Sequence, residues 1–217
     1  MRIPLTRYGV REVLLFGGLS VAGLAAAAVF FWYAVPVFAA ALAFVLYFFR
    51  DPSRRIPDGP GLVVSPADGK VIEVVEVDEP RFLRVRTHKI AIFMSPADVH
   101  VNRAPCDGVV EAVVHQSGGY RHAGTDAAAA GNEAVAMTLA DVTGGTRILV
   151  RQVAGALARR IVCAAAVGDR LERGGRYGMI KFGSRAEVYV PVESGFEVTV
   201  EPGQAVLGGQ TVLGRFP

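Results

Sequence analysis

A serine directly follows a glycine at Gly183-Ser184, where two strand-like stretches of the sequence meet. The residues from Glu187 to Val190 alternate between polar and apolar side chains, which is the period of a half-buried strand. The Ser184 hydroxyl can attack the Gly183 carbonyl and turn the peptide bond into an ester, and glycine leaves that approach open because it has no Cβ. Elimination from the ester would split the chain and leave Ser184 as a pyruvoyl group heading a 34-residue chain. The dipeptide by itself more often forms an ordinary turn.

Two further residues could assist such a serine. His100 follows an apolar strand and a Ser-Pro turn, and histidine, with an ordinary pKa of about 6.5, can take a proton from a hydroxyl and later return one. Asp68 lies in the turn 65–69 before a strand, where its carboxylate could orient a histidine. Each has a structural alternative, since a lone histidine is more often structural and an Asp-Gly pair commonly forms a turn.

The sequence around these residues resembles the phosphatidylserine decarboxylase family. The string 178–185, followed by a strand that ends in Val-Pro, resembles the self-cleavage site of the short, archaeal-type branch, in which Gly-Ser is the processed pair. The segment 66–69 resembles the family's Pro-x-Asp-Gly, and 96–100 resembles its Pro-x-Asp-x-His. The resemblance covers nearly the whole chain.

The resemblance implies decarboxylation of phosphatidylserine to phosphatidylethanolamine and CO2. A pyruvoyl cofactor made from Ser184 would form a Schiff base with the substrate amine and accept the electrons as CO2 leaves. His100 is then the candidate for protonating the substrate Cα. Asp68 is the candidate for supporting cleavage or for orienting other groups.

Other cofactors and partners find little support in the sequence. Pyridoxal phosphate needs a lysine, and Lys70, Lys89 and Lys181 stand in no recognisable cofactor setting. No cluster of Cys, His and carboxylate residues has metal-ligand spacing, and no basic-aromatic pattern indicates nucleic acid. Cys106 and Cys163 are expected to be a buried, reduced pair in a cytosolic domain.

One position departs from the family pattern. The longer bacterial and eukaryotic branch has a second histidine three residues after the first, and here that position is Arg103. An Asp-His-Ser triad therefore cannot be carried over unmodified. Either His100 serves both steps, or cleavage relies on backbone strain, Asp68 and backbone donors.

Other segments that resemble the short branch predict contacts with the substrate. The segment 118–123, together with Asn132 and Glu133, matches the loop expected to cover the substrate. The string 152–163 contains a pair of arginines, which are suited to a phosphate or carboxylate but could equally be surface residues. The substrate-binding candidates are Tyr120, His122, Arg159 and Arg160.

The elements that must position these residues are short segments separated by glycine. Strands are predicted at 70–77, 82–93, 108–115, 133–139 and 146–153, and a short helix at 154–160. The segments 168–174 and 203–209 share the form Gly-x-x-apolar-x-x-Gly, which is typical of turns in barrel-sandwich modules. We therefore predict a mainly β, compact sandwich or barrel-sandwich-like domain with few short helices.

The N-terminal segment is strongly apolar. No charged residue occurs from Val13 to Phe49, whereas a spanning helix needs only about 20 apolar residues. Pro36 can break the run, and arginines on both flanks favour two cytoplasmic ends. We predict a hairpin of two short helices, dipping into the bilayer or crossing it, that holds the domain at the cytoplasmic face of the cell membrane. A cleaved signal peptide is the alternative.

The predicted organisation is a membrane-associated hydrophobic hairpin at 1–50, a linker at 51–61 and a β-rich catalytic domain at 62–217. Cleavage between Gly183 and Ser184 would give a β chain of 1–183 and an α chain of 184–217, held together as a heterodimer or within a higher homo-oligomer. Two other functions remain open. One is a non-enzymatic, membrane-anchored barrel-sandwich adaptor or carrier, and the other is a pyruvoyl enzyme acting on another serine-headed lipid or a soluble amino acid.

Overall fold

The structure, a computed structural model, describes residues 5–122, 124–125, 130–141, 145–156, 160–181 and 184–217. The chain divides into two compact units, Met1–Ser53 and Arg54–Pro217.

The first unit is a pair of apolar helices, α1 (Arg7–Phe30) and α2 (Trp32–Phe48). Phe31 leaves the helical conformation between them. Helix α2 opens with a 3-10 turn, Trp32–Ala34, and a proline lies at the start of its α-helical part, Val35–Phe48, where proline is well suited. The chain ends of the pair meet, because the Thr6 N–H donates to the Phe49 carbonyl at 2.9 Å. A Cβ at Gly23 would overlap the Phe38 ring, so a glycine allows the helices to approach closely. The predicted helical hairpin is therefore confirmed.

The outward side chains of this hairpin are apolar. Leu14, Val29, Trp32 and Val37 are each 66% exposed or more. Among the described residues, α1 is long and apolar enough to cross a membrane, and α2 is a shorter apolar helix. These features are consistent with association of the N-terminal unit with a membrane.

The second unit is built from short strands, which confirms the predicted mainly β fold. The described strands are β1 (Leu62–Val64), β2 (Gly69–Glu79), β3 (Val85–Met94), β4 (Val101–Arg103), β5 (Gly108–Gln116), β6 (Ala134–Asp141), β7 (Arg147–Ala154), β8 (Ile161–Cys163), β9 (Arg170–Leu171), β10 (Arg176–Ile180), β11 (Ser184–Pro191), β12 (Glu197–Val198), β13 (Ala205–Val206) and β14 (Val212–Arg215). A 3-10 turn, Val192–Ser194, follows β11.

Eight of these strands form one curled, half-barrel sheet in the order β13-β2-β3-β11-β7-β6-β5-β9. Two three-stranded sheets, β1-β14-β12 and β4-β10-β8, contribute to the same core. Val188 and Val150 of the large sheet share that core with Val63 and Tyr177 of the small sheets. The alternation seen in the sequence thus gives the large sheet one apolar face.

The two glycine-bounded segments noted in the sequence fold alike and lie at opposite edges of the large sheet. Strand β9, within 168–174, pairs with β5, and strand β13, within 203–209, pairs with β2. The four bounding glycines all have positive φ, between 76° and 97°, a conformation that L side chains rarely adopt.

A repeated Pro-x-Asp-Gly turn precedes the partner strand in each case. Asp68 Oδ1 accepts a hydrogen bond from the Gly208 N–H at 2.7 Å, and Asp107 Oδ1 accepts one from the Arg173 N–H at 2.9 Å. The domain therefore contains two copies of one turn-and-strand arrangement, each closed by an aspartate.

Two predicted elements differ from the structure. The helix at 154–160 is wrong at its start, since Ala154 is the last residue of β7, and residues 157–159 lie outside the described ones. The strand at 82–93 begins only at Val85. Before it, the Glu79 carboxylate accepts the N–H groups of Phe82 and Leu83 at 2.8 and 2.6 Å, which closes a turn.

Candidate active site

Ser184 is the first residue of β11, the fourth of the eight strands in the large sheet. It pairs with Met94 at the end of β3 and with Ala154 at the end of β7. Its side chain is fully buried. The serine therefore lies at one end of the sheet with a strand on each side. Gly183, the other member of the predicted cleavage pair, lies outside the described residues.

The side chains packed at the Ser184 end of the sheet are apolar, and several of them are alanines. The Ser184 Oγ donates to the Met94 sulfur at 3.2 Å. A buried cluster at this end of the sheet consists of Ala67, Met94, Ala154, Ile180 and Ala186. Burying a charge without a partner is costly, so these surroundings fit an uncharged group at position 184.

Two buried amides lie close to this cluster. The Asn102 Nδ2 is 3.9 Å from the Met94 sulfur, and the Gln152 Nε2 donates to the Asn102 Oδ1 at 2.8 Å. Both residues are at most 1% exposed. They join β4 to β7 at the end of the sheet that carries Ser184. Sequence reasoning missed them, because isolated amide side chains give no signal in a single sequence.

His100 follows a turn that fixes its ring. The Asp98 N–H donates to the Ser95 carbonyl at 2.9 Å, and the Ser95 N–H donates to the Asp98 Oδ2 at 2.7 Å. The His100 Nδ1 lies 2.9 Å from the Asp98 carbonyl oxygen. A carbonyl only accepts hydrogen bonds, so Nδ1 carries the proton and Nε2 carries the basic lone pair. His100 is fully buried, and Asp98, which sequence reasoning gave no role, positions it.

Asp68 uses both carboxylate oxygens in contacts within the second unit. Its Oδ1 accepts from the Gly208 N–H, and its Oδ2 is 2.6 Å from the Arg54 guanidinium. Burial raises the pKa of Asp68 above its ordinary value, although the Gly208 hydrogen bond and the Arg54 charge act in the opposite direction. Among the described residues its partners are thus Arg54 and Gly208. Orientation of His100 by Asp68 stays a prediction.

Backbone hydrogen bonds connect the segments that carry the candidate residues. The Arg103 N–H donates to the Pro66 carbonyl at 2.9 Å, which joins the Asp68 turn to the strand after His100. The Ile180 N–H donates to the His100 carbonyl at 3.2 Å. The structure therefore places Asp68, His100 and the approach to Ser184 on neighbouring segments at one end of the sheet.

Arg103, at the position where the longer branch of the resembled family has a second histidine, has a structural partner. The Arg103 side chain is 4% exposed, and its guanidinium donates to the Gly174 carbonyl at 2.9 Å. This contact ties β4 to the turn that precedes β10.

The loop predicted to cover the substrate is tied to the sheet by Asn132. Its side chain exchanges hydrogen bonds with the backbone of Arg121, at 2.9 and 2.7 Å, and donates to the Ala154 carbonyl at 2.7 Å. The Tyr120 hydroxyl donates to Glu133, and the His122 ring lies 5.4 Å from the Phe93 ring. Both candidates are therefore held at the same end of the sheet as Ser184.

Only one member of the predicted arginine pair can be placed. Arg159 lies outside the described residues. Arg160 is exposed, and its carbonyl accepts a hydrogen bond from the Lys181 N–H at 3.2 Å. Its backbone therefore lies beside the segment that leads to Ser184.

A buried serine, a buried histidine and a buried carboxylate with a raised pKa lie at one end of the sheet, and together they make this domain a candidate enzyme. Comparison with known families identifies which one. The family model described as phosphatidylserine decarboxylase matches residues 41–214.

Relatives named phosphatidylserine decarboxylase proenzyme match over most or all of the chain. The protein of Symbiobacterium thermophilum is 49% identical over 100% of this chain and 98% of its own length. That of Carboxydothermus hydrogenoformans is 43% identical over 99% of both chains, and that of Salinibacter ruber is 46% identical over 81% of this chain and 77% of its own. The chain belongs to the phosphatidylserine decarboxylase family, and it is an enzyme of the carboxy-lyase class.

Proposed function

We propose that this enzyme decarboxylates phosphatidylserine to phosphatidylethanolamine, using a pyruvoyl group that it makes from Ser184 by cutting its own chain after Gly183. The relatives' name, with its word proenzyme, supports both the reaction and a processing step. The observation that carries the proposal is the position of Ser184, fully buried at the start of a central strand and in contact with Met94 of the apolar cluster.

The surroundings of Ser184 favour a pyruvoyl group over a simple new chain end. Ordinary hydrolysis before Ser184 would leave a charged ammonium at a position with no exposed surface. A pyruvoyl end is uncharged, and small neighbours such as Ala154 and Ala186 leave an apolar setting for it. The group supplies an electrophilic carbonyl for the substrate amine and an acceptor for the electrons released with CO2.

The proposed self-cleavage proceeds through an ester between Gly183 and Ser184. The Ser184 hydroxyl adds to the Gly183 carbonyl, the amide C–N bond breaks, and the freed nitrogen takes the hydroxyl proton, which gives an ester. Loss of the Ser184 Cα proton breaks the Cβ–O bond, so that Gly183 becomes the carboxylate end of the 1–183 chain. Water then replaces the nitrogen at Cα, ammonia leaves, and a ketone remains.

We assign the proton transfers to His100 and a supporting role to Asp68. The His100 ring is fixed with its basic Nε2 on the side away from the Asp98 carbonyl, which suits a group that takes and returns protons. Asp68 holds the adjoining turn through Gly208 and Arg54. The link between Arg103 and Pro66 keeps the two segments together.

We assign the lipid head group to the loop and arginine candidates. Tyr120 and His122 lie on the loop that Asn132 ties to the end of β7. Arg160, which is exposed, and Arg159 could bind the phosphodiester. This assignment puts the head group over the end of the sheet that carries Ser184.

We further propose that the helical hairpin keeps the enzyme on the cytoplasmic face of the cell membrane. The exposed apolar side chains of α1 and α2 suit a lipid environment, and arginines flank the apolar run at both ends. Phosphatidylserine and the bilayer are then its partners, together with its own processed chain.

Intact mass spectrometry of the purified protein tests the proposal. We expect two chains, the smaller beginning at position 184 and lighter than a serine-initiated peptide by the mass of one ammonia molecule. Ser184→Ala should stay a single, inactive chain, whereas the control Ser194→Ala, on the same small chain, should be cut normally. An active and processed Ser184→Ala protein would refute the pyruvoyl mechanism, and so would a single uncut wild-type chain that decarboxylates phosphatidylserine.

A further inference from the structure

The face of β11 opposite Ser184 carries buried charges. Side chains alternate across a strand, so Arg185 and Glu187 lie on one face while Ser184 and Ala186 lie on the other. The side chains of Arg185 and Glu187 are each only 1% exposed. Charged residues are almost never fully buried unless they are paired, so this pair calls for a physical reason.

Arg185 is paired on both sides of its guanidinium. One terminal nitrogen donates to the Glu73 Oε2 on β2 at 2.7 Å, and the Nε lies 2.8 Å from the Glu187 Oε1. Glu73 also lies 2.9 Å from the Lys89 ammonium on β3. The arginine thus joins its own strand to the second strand along the sheet.

Glu187 extends the cluster in the opposite direction. Its Oε2 accepts hydrogen bonds from Arg151 on β7 at 2.8 Å and from the Tyr189 hydroxyl at 2.9 Å. Burial and the nearby Glu187 charge raise the pKa of Tyr189, so the tyrosine remains a hydrogen-bond donor. The cluster therefore reaches from β2 to β7 across the strand that begins with Ser184.

This cluster joins the two chains that the proposed cleavage would produce. Glu73, Lys89 and Arg151 belong to the 1–183 chain, whereas Arg185 and Glu187 belong to the 34-residue chain. Before the cut, residue 184 is held by the peptide bond to Gly183. After the cut it becomes a chain end, and chain ends fray unless they are tied down.

The cluster also specifies the register of β11. A slip of one residue exchanges the two faces of a strand. It would move Arg185 into the apolar cluster with Met94 and Ala154, and it would turn residue 184 away from that cluster. Leaving a buried charge without its partner is strongly destabilising, so the ion pairs oppose such a slip.

We propose that Arg185 is a positioning residue that holds the reactive end of the processed chain in place through Glu73 and Glu187. This rests on the proposed cleavage between Gly183 and Ser184. Arg185 lies on the face opposite the reacting group and acts by keeping residue 184 fixed at the strand end. A reaction can slow by on the order of 100-fold when a catalytic group is displaced by about 1 Å. Arg185 is the second residue of the new chain, so holding it in place also limits the movement of residue 184.

Arg185→Met, Arg185→Lys and Glu73→Gln test this role. In processed enzyme, we expect Arg185→Met to lower kcat by about 10-fold or more while KM changes little. Hydrogen exchange at the amides that follow residue 184 should be faster, and the small chain should dissociate at lower denaturant concentration. Lysine keeps the charge and should restore part of each property. Glu73→Gln leaves the small chain unchanged, weakens the contacts of Glu73 with both Arg185 and Lys89, and should act in the same direction.

Arg215→Met is the matched control, because Arg215 lies on the same small chain but its ion pair with Glu197 is largely exposed. It should match wild type in kcat and exchange. If Arg185→Met does not fold or is not cut, Glu73→Gln gives the decisive comparison. The role of Arg185 would be overturned if processed Arg185→Met had wild-type kcat and hydrogen exchange. If Arg185→Met cannot be obtained in processed form, the same result in Glu73→Gln would overturn it. An uncut wild-type chain, seen by mass spectrometry, would instead overturn the proposed cleavage.

Discussion

The Nδ1 of His100 lies 2.9 Å from the carbonyl oxygen of Asp98, two residues earlier in the same turn. The acceptor is a backbone carbonyl, and the Asp98 side chain supports it by holding the turn through the Ser95 N–H. This contact fixes the tautomer of the histidine and leaves Nε2 as the basic nitrogen. The turn at 95–98 therefore sets the ring orientation and the tautomer of His100.

Replacing His100 should separate cleavage from catalysis. We expect His100→Ala to lose about 100- to 10,000-fold in decarboxylation rate, the usual contribution of a positioned proton donor. Release of CO2 from carboxyl-labelled phosphatidylserine gives the rate, and intact mass gives the extent of cleavage. Undiminished turnover in processed His100→Ala enzyme would remove the histidine from the decarboxylation step. Loss of cleavage would assign it to self-cleavage, because an uncut chain has no pyruvoyl group with which to turn over the substrate.

The carboxylate of Asp98 should matter only through the turn. Asp98→Ala loses the hydrogen bond from the Ser95 N–H, a local bond that is typically worth about 1 kcal/mol. We expect a several-fold fall in kcat. Asp98→Asn keeps an oxygen acceptor for that N–H and should stay close to wild type. Equal losses in the two variants would mean that the charge of Asp98, rather than the turn, is important.

The raised pKa of Asp68 gives a pH dependence of stability with a definite sign. A carboxyl whose folded pKa is raised binds more protons in the folded than in the unfolded state. The Asp68 carboxyl therefore lowers the free energy of unfolding as the pH rises from the ordinary pKa of an aspartate, about 3.9, through the pKa in the folded protein. Wild-type stability relative to Asp68→Asn should be highest at the acidic end of this window and should fall as the pH increases.

Thermal unfolding in the uncut Ser184→Ala background measures this difference without the complication of a second chain. Asp107→Asn is the control, because Asp107 closes the equivalent turn in the other copy of the repeat. A stability difference between the parent and Asp68→Asn that increases with pH would contradict the raised pKa. It would mean that Arg54 outweighs burial.

Asn132 should control the substrate loop without contacting the chemistry. Asn132→Asp has almost the same shape but cannot donate to the carbonyls of Ala154 and Arg121. We expect it to lose about 1–3 kcal/mol of stability, the cost of an unsatisfied buried polar group. The KM for phosphatidylserine should rise more than kcat falls.

Gln204→Glu is the control for Asn132→Asp, because it makes the same change from amide to carboxylate at an exposed position. It should leave both KM and stability close to wild type. If Asn132→Asp kept the wild-type KM while losing stability, the side chain would support the fold without influencing the substrate loop.

Trp32 reports the depth of the hairpin, because it is the only tryptophan in the chain and lies at the beginning of α2. Helix α1 has 24 residues, or about 36 Å at 1.5 Å per residue, against a hydrocarbon thickness of about 30 Å. We expect Trp32 near the far interface. Quenchers attached near the lipid head groups should then quench its fluorescence more than quenchers at the bilayer centre. The opposite order would indicate a hairpin that only dips into the membrane.

The sequence predicted the local features of this fold well. Alternation of side chains located β11, and the glycine spacing at 168–174 and 203–209 predicted two similar turns, because both signals depend only on neighbouring residues. The second Pro-x-Asp-Gly, at 105–108, was a visible signal that would have revealed the repeat. The helix at 154–160 was wrong at its start because pairing of Ala154 with Ser184 outweighs the local preference for helix.

Long-range contacts within the site could not be predicted in the same way. Arg54 was assigned to the linker, yet it binds Asp68, and Glu73 binds Arg185 across 112 positions of sequence. Nothing in the spacing of a single sequence joins such residues. The candidates found from motifs, His100 and Asp68, were located because their neighbours form recognisable strings.

The central position of β11 in the sheet affects how the protein could refold after a cut before Ser184. Strand β11 would then belong to one chain and its neighbours β3 and β7 to the other. A precursor folds as a single chain, at a rate independent of concentration. A processed enzyme that had unfolded would need two separate chains to meet before the sheet could form again, and its recovery would depend on dilution. The precursor could thus fold without a partner chain, whereas the unfolded mature enzyme could not.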